Sequence, residues 1–246
     1  MGLVKNDPYL EPYNDAIRGR HEHALWKIKQ LTDDGKQTLA EYYGLHRTGN
    51  GWTFREWAPS ATNIYLVGDF NNWSIDEQYK LHRIEGSGNW ELNLEPQMMH
   101  HGDLYKMRVF WNGGEGERIP AWAQRVVQDE NTKIFSAQVW NPEKTYRWRR
   151  KTFRPSVTPL LIYECHIGMG QDFEGVGTYT EFREKILPRI VADGYNAIQI
   201  MAIQEHPYYG SFGYHVSSFF APSSRFGTPE ELKALIDEAH RNGVAV

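Results

Sequence analysis

The sequence predicts a multi-domain chain made of a short N-terminal helical segment, an all-β sandwich and an alternating β/α portion. Three observations carry this reading. Apolar residues near helical spacing run through the first forty or so positions. Short alternating runs broken by Gly and Asn occupy about the next 100. Strand and helix patterns then alternate to the last residue, Val246.

In residues 1–45, Ala16, Ile17, Leu25, Ile28 and Leu31 fall near helical spacing, and Trp26 and Leu39 can join them, giving a helical cap or arm. In residues 46–145 the runs WTFREWA, NIYLVGDF, WELNLE and YKMRVFW alternate with GNG, NNW, GSGN and NGGEGE. These are period-two strands with turn chemistry between them. Residues 146–159 are a linker. They lie in the basic stretch KTYRWRRKTFRPSVTP, which holds two prolines. Its interleaved Arg, Tyr and Trp resemble a nucleic-acid patch, but the rest of the chain carries no basic field, which favours a linker or solvated edge.

In residues 160–246, LLIYECH reads as a strand, TYTEFREKILPRIVADG as a helix, AIQIMAI as a strand, TPEELKALIDEAHRNG as a helix and VAV, ending at Val246, as the start of a third strand. Thr178 with Glu181 and Thr228 with Glu231 fit capping boxes, and Pro229 suits a first helical position. Gly194 and Gly243 suit the left-handed residue past each helix end, whereas Pro188 should kink or shorten the first helix. Continuous apolar strands in this order mean a parallel sheet buried on both faces, either a barrel or a doubly wound sheet. The helix-to-strand connections are short. The strand-to-helix stretch from about Gln204 to Thr228 is long and rich in aromatics, so it reads as functional rather than disordered.

A chain of 246 residues with 40% apolar content can bury a core. The formal charge of -4 gives no pull toward nucleic acid or an anionic membrane, so the expected partner is uncharged or small. Cys165 is the one cysteine and cannot form an internal disulfide. MGLVKNDPYLEPYND lacks the apolar core of a secretory signal, and no run of 18 apolar residues occurs, so a cytoplasmic location is expected. The sequon Asn72-Trp73-Ser74 is then an accident. His21-Glu22-His23 and His100-His101 have no partners at metal-ligand spacing, and no phosphate-cradling glycine loop is present, so neither metal nor cofactor is expected.

Nine Trp and an aromatic share of 14% remain to be explained. Flat rings carrying an indole N–H or hydroxyl suit sugars, whose CH faces stack while their edges keep hydrogen bonds. Glu164 and Glu205 stand at or just past strand ends, where a catalytic acid can sit, although a carboxylate paired inside the fold is the commoner reason for such a position.

GDFNNW, preceded by FREWAPSATNIYLV and followed by GNWELNL and YKMRV, resembles carbohydrate-binding module family 48, an immunoglobulin-like sandwich attached to α-glucan-processing enzymes. LLIYECHIGM and the string from LPRIVADGYNAIQIM through IQEHPYYGSFGYHV to FGTPEELKALIDEAH closely resemble the first part of the glycoside hydrolase family 13 barrel of 1,4-α-glucan branching enzymes. DPYLEPY is similar to the start of the helical segment in the eukaryotic-like type. The resemblance covers nearly the whole chain and implies the first βαβαβ part of a TIM (β/α)8 barrel after the sandwich.

It further implies that Tyr214 stacks on the sugar beside the scissile bond, and that Trp57, Pro59, Trp73 and Lys106 contact glucan on the sandwich or near its junction with the barrel. Trp90 can add to that platform, although core packing suits it better. The implied reaction is retaining transglycosylation, in which a chain cleaved from an α-1,4 glucan is transferred to a 6-hydroxyl. The family's nucleophilic Asp, acid/base Glu and third Asp follow the fourth, fifth and seventh strands. The sequence stops within the third, so all three carboxylates are expected beyond Val246. The expectation is an incomplete copy that binds α-glucan without branching it and that can associate through an exposed barrel edge. The alternative is a non-catalytic α-glucan-binding protein.

Overall fold

A computed structural model of the chain describes residues 7–31, 36–155, 159–201 and 203–246. The chain divides into two compact units, residues 1–43 and 44–246. In the first, a turn at Glu11–Tyr13 leads into α1 (Asn14–Leu31), and α2 (Leu39–Tyr42) follows, capped by Thr38 and Glu41 reciprocally. No residue of α1 is buried, and Leu25, Trp26 and Ile28 are exposed. The helix is as expected, but its apolar residues are too few and too scattered around the axis to make a continuous stripe.

The second unit begins with a sandwich. Its strands are β1 (Gly44–Thr48), β2 (Gly51–Trp57), β3 (Ala61–Gly68), β4 (His82–Ile84), β5 (Asn89–Leu94), β6 (Leu104–Trp111), β7 (Gly114–Arg118), β8 (Val126–Gln128) and β9 (Phe135–Gln138). One antiparallel sheet has the order β1-β2-β5-β4 and the other β3-β6-β9-β8, with β7 also pairing β6. Inward residues such as Phe54, Ile64, Leu66, Trp90, Leu92, Tyr105 and Met107 fill a common core, the period-two outcome expected for sheets with one solvated face. Trp90 is 4% exposed, and its indole N–H donates to the Ala58 carbonyl at 2.9 Å, so it is a core residue and no part of a platform.

After residue 159 come β10 (Ile162–His166), α3 (Tyr179–Glu181), α4 (Leu187–Ala192), β11 (Ala197–Met201), β12 (Gln204–Glu205), β13 (Ser218–Pro222) and α5 (Pro229–Arg241). β10 and β11 pair in parallel. Both predicted capping boxes form, and Gly194 and Gly243 have φ of +85° and +78°. Between α3 and α4 the helix widens into a π turn at Phe182–Ile186. Pro188 lies just inside α4, has no N–H to give and crowds the preceding turn; the wider turn accommodates it.

The third strand expected at Val244–Val246 is reduced to a single parallel bridge between Ala245 and Ala197. The direction is as expected, but so short a stretch after the helix cap makes only one bridging pair and no ladder. Val244 points into the helix-side core, while Val246 lies past the bridge and is half exposed.

The apolar runs alone imply a parallel sheet buried on both faces, whereas the resemblance implies an exposed edge, and the structure has the more open arrangement. Cys165, Ile167, Ile198 and Val244 pack with Phe182, Leu187, Ile190 and Leu235 of the helices. Elsewhere the sheet is open: Ile162 is 52% exposed and Glu164 and Gln199 face solvent, while Ile162, Ile200, Ile203, Leu232, Ile236 and Val246 line an apolar groove of about 440 Å³. The long connection after β11 is also more ordered than a loop, because β12 and β13 pair antiparallel within it.

Several contacts tie the sandwich to the α/β portion. The rings of Trp122 and Phe220 stack at 3.9 Å and 8°. Arg125 donates to the Gly227 carbonyl at 2.6 Å and lies over the Trp140 ring, and the Trp140 indole donates to Glu230 at 2.6 Å. Residues 146–153 lie against α5. The Tyr146 hydroxyl and the main-chain N–H groups of Arg149 and Arg150 all donate to the Asp237 carboxylate, at 2.7–2.8 Å, and Phe153 stacks on His240 at 4.1 Å.

Candidate functional site

The turn after β3 is built to hold one ring outward. Gly68 is required by close approach, since a Cβ there would run into the Leu104 carbonyl oxygen. Asn71 closes the turn with both ends of its amide, accepting from the Gly68 N–H at 2.9 Å and donating to the Leu66 carbonyl at 3.0 Å. Asn72 and Trp73 then both take left-handed conformations, with φ of 53° and 58°. That is an uncommon arrangement for two consecutive non-glycine residues. It is fixed by the Trp73 N–H donating to the Gly68 carbonyl at 2.9 Å.

The Trp73 indole is pinned at its edge and free on its face. Its N–H donates to Asp69 Oδ1 at 2.9 Å, and Asp69 Oδ2 accepts from the Leu104 N–H at 2.8 Å, joining the turn to the start of β6. The ring is 39% exposed. Lys106 points away from the core because its neighbours Tyr105 and Met107 point into it. Its ammonium lies 5.9 Å from the Trp73 ring centroid and 3.0 Å from Glu117. Sequence reading named Trp73 and Lys106 but missed Asp69 and Asn71, although an Asx residue shortly before a turn tryptophan was the available signal.

Trp57 and Pro59 form a second exposed group at the end of β2. Trp57 is 59% exposed. Gly88, at φ +75°, permits the packing, because a Cβ there would lie 2.9 Å from Pro59 Cβ and 3.2 Å from Trp57 Nε1. The connection is fastened from beneath: the Ala58 N–H donates to the Gly88 carbonyl at 3.0 Å, and Arg83 donates to the Pro59 carbonyl at 2.8 Å. Glu56, buried behind Trp57, accepts from the Trp57 and Ala121 N–H groups at 3.1 and 2.9 Å. Burial outweighs those bonds and raises its carboxyl above the ordinary range.

Tyr214 belongs to a different element, the segment between β12 and β13, and is 75% exposed. Phe212 and Gly213 precede it with φ of 50° and 79°, turning the chain so that the phenol projects. The base of this segment is rigid. Glu205 is fully buried and accepts from Arg225 at 3.1 Å, from the Ser224 N–H at 2.7 Å and from the His206 N–H at 3.0 Å. Arg225 also donates to the carbonyls of His206 and Pro207 and lies over Phe135 of β9. Glu205 is thus a structural anchor. Glu164 is exposed on β10.

Beside the anchor, His166 packs edge-on against Tyr209, Phe212 and Phe226, and burial together with nearby His206 lowers its pKa. Burial pushes the Cys165 thiol up to about 12, making it inert at neutral pH. Among the described residues no group of three or more His, Cys, Asp or Glu side chains is arranged to hold a metal, and no helix is long and apolar enough to cross a membrane. The structure therefore brings Trp73 together with Lys106, and Trp57 with Pro59, and sets Tyr214 on a separate element. Val246 sits at the rim of the apolar groove.

Residues 42–123 match the carbohydrate-binding module 48 (isoamylase N-terminal domain) family. Over 99% of its length the chain is 41% identical to a 1,4-alpha-glucan-branching enzyme of Dictyostelium discoideum, of which it covers 37%. Over its full length it is 42% identical to the enzyme of that name from Saccharomyces cerevisiae, covering 38%. The chain thus spans less than two-fifths of these curated relatives. Among solved structures it is similar to a pullulanase from Bacillus acidopullulyticus, with TM-score 0.65 and 18% identity over 82% of this chain and 28% of that one. A Paenibacillus barengoltzii pullulanase solved with maltohexaose and alpha-cyclodextrin gives TM-score 0.67 and 18% identity over 82% and 36%. At such identities the structural likeness speaks to fold alone.

Proposed function

We propose that residues 44–246 bind α-glucan and serve its branching; the match of residues 42–123 to the carbohydrate-binding module 48 family and the identity of 41% and 42% to 1,4-alpha-glucan-branching enzymes along the chain support this reading. In this reading the α/β portion is the opening βαβαβ part of a (β/α)8 barrel, and Tyr214 stands at the mouth where loops after strands carry the chemistry. The observation that carries the proposal is the Trp73 ring, open on one face, held at its edge by Asp69 and flanked by the Lys106 ammonium. Such a ring offers an apolar plane to the CH face of a glucose unit, and the neighbouring cation and carboxylates can bond its hydroxyls. Because the turn is fixed before any ligand arrives, little ordering cost accompanies binding.

Retaining transfer needs two carboxyl groups about 5–5.5 Å apart across the sugar, one to attack the anomeric carbon and one to protonate the departing oxygen. Glu205, locked by Arg225 and the Ser224 N–H, is not free to serve, so Glu164 and Glu205 cannot form that pair. On this reading the 246 residues by themselves should retain glucan binding and have no branching activity. Glycogen in a native gel should retard the chain, and maltoheptaose should change its tryptophan emission. A chain that migrates unretarded and whose emission is indifferent to maltoheptaose would refute the binding role. A sustained, protein-dependent fall in the iodine absorbance of amylose would refute the inactivity of these residues alone.

A further inference from the structure

Residues 144–155, KTYRWRRKTFRP, hold four Arg, two Lys and no acidic residue. The proposed glucan-binding residues do not include them. They are not simply a solvated edge, because the segment folds over α5 into a groove of about 390 Å³ lined by Trp148, Arg150, Lys151, Phe153 and His240. That volume lies within the usual range for small-molecule sites. Phe153 and His240 stack face to face at 4.1 Å and 2°, so the pair bounds one side of the groove as a single rigid unit, and Trp148, 40% exposed, stands edge-on to Tyr146 and offers a free ring.

The charges are arranged to leave the groove positive. Among the described residues, Arg150 and Lys151 have no carboxylate within ion-pair distance. The nearest acid by contact, Asp237, is occupied. Its carboxylate accepts from the Arg149 and Arg150 main-chain N–H groups and the Tyr146 hydroxyl, so the Arg150 guanidinium is not held by it. Glu238 is paired with Arg241 at 2.7 Å. The negative end of α5 is likewise blunted, since the Asn242 and Gly243 N–H groups donate to the Glu238, Ala239 and His240 carbonyls.

We propose that this groove binds a small phosphate ester, with the phosphate against Arg150 and Lys151 and its flat or CH-faced group against Trp148, beside the Phe153–His240 stack. Cations with no protein counter-ion beside a pair of aromatic surfaces match that combination of charge and flat apolar area. Nucleotides and sugar phosphates share it, and the test separates them.

The experiment is isothermal titration calorimetry of the 246-residue chain with ADP, glucose 6-phosphate and inorganic phosphate. At least one ester should bind more tightly than inorganic phosphate, and its affinity should fall as salt is raised from about 50 to about 200 mM. Arg150→Ser/Lys151→Ser should weaken the ester by about tenfold, and Trp148→Ala should weaken the ester but not inorganic phosphate. These side chains are exposed, so the unfolding midpoint should stay unchanged. Equal binding of all three probes, an unaltered affinity in the double variant, or no binding of either ester, whether or not an oligonucleotide titrated in parallel binds, would overturn the proposal. Maltoheptaose binding, followed in the same variants, should be unaffected, which keeps this outcome separate from glucan binding by the sandwich.

Discussion

Trp73 and Tyr214 are both exposed rings set up by left-handed backbone, yet they are supported in opposite ways. Trp73 is bonded through its indole N–H to Asp69, which also grips the start of β6, and Lys106 lies beside its ring. Tyr214 is nearly twice as exposed, and rigidity is concentrated beneath it in the buried Glu205–Arg225 pair. A ring pinned at its edge is a finished platform. A ring projecting from a firm base, if it meets a sugar as proposed, has one face to offer and no bond among the described residues fixing its edge. Binding by the sandwich can thus be self-sufficient, whereas the contribution of Tyr214 depends on what surrounds it.

The largest effect should come from removing the anchor under Tyr214. Glu205→Ala leaves the largely buried Arg225 without its partner and should cost about 3–5 kcal/mol in urea unfolding, with maltoheptaose affinity at native conditions kept within about twofold. An equal loss of glucan binding would show that the two sites are one. Trp73→Ala should do the reverse, weakening maltoheptaose by roughly tenfold, or about 1.4 kcal/mol, with stability nearly unchanged; titration of the variant and its thermal midpoint decide this.

Acid should also separate the two regions. The His166 imidazole stays neutral in the folded chain at a pH where the unfolded chain, at its ordinary value of 6.5, takes up a proton. Stability should therefore fall as pH drops below about 6.5. Hydrogen exchange at about pH 5.5 against about pH 7.5 should quicken first around Tyr209–Phe212, with the Asp69–Trp73 turn following later; simultaneous loosening would break the distinction. Asp69→Asn keeps the shape but weakens the acceptor for the indole N–H, and should lower maltoheptaose affinity by about threefold. Smallest of all, Tyr214→Ala should leave maltoheptaose binding by this chain within experimental error.

The sequence shows most of this where a pattern is long or a residue has one physical use. Strands of six to eight residues such as β3, β5 and β6 announce themselves by alternation. Thr228, Pro229, Glu231 and Gly243 bracket α5 because each satisfies a distinct requirement of a helix end. The two-residue β12 and three-residue β8 are too short to carry a period. The apolar pattern alone does not reveal the openness of the β10–β11 sheet, since Ile162, Ile200 and Val246 read as buried residues whether or not anything covers them; only the family resemblance implied an exposed edge. Among the candidate residues, ring type singled out Trp57, Trp73 and Tyr214, but the second role of Asp69 depends on Leu104, thirty-five residues away, and no local pattern records such a bond.

The stack of Trp122 on Phe220, with Arg125 reaching the Gly227 carbonyl beside it, has a kinetic meaning. It fastens the sandwich to the strand that follows Tyr214, so a long polymer caught on one would be delivered to the other at a fixed bearing instead of by fresh collision. Effective local concentrations in tethered systems of this kind reach the millimolar range, so on the proposed reading a weak grip on the sandwich would favour contact of Tyr214 with long glucans over short oligosaccharides.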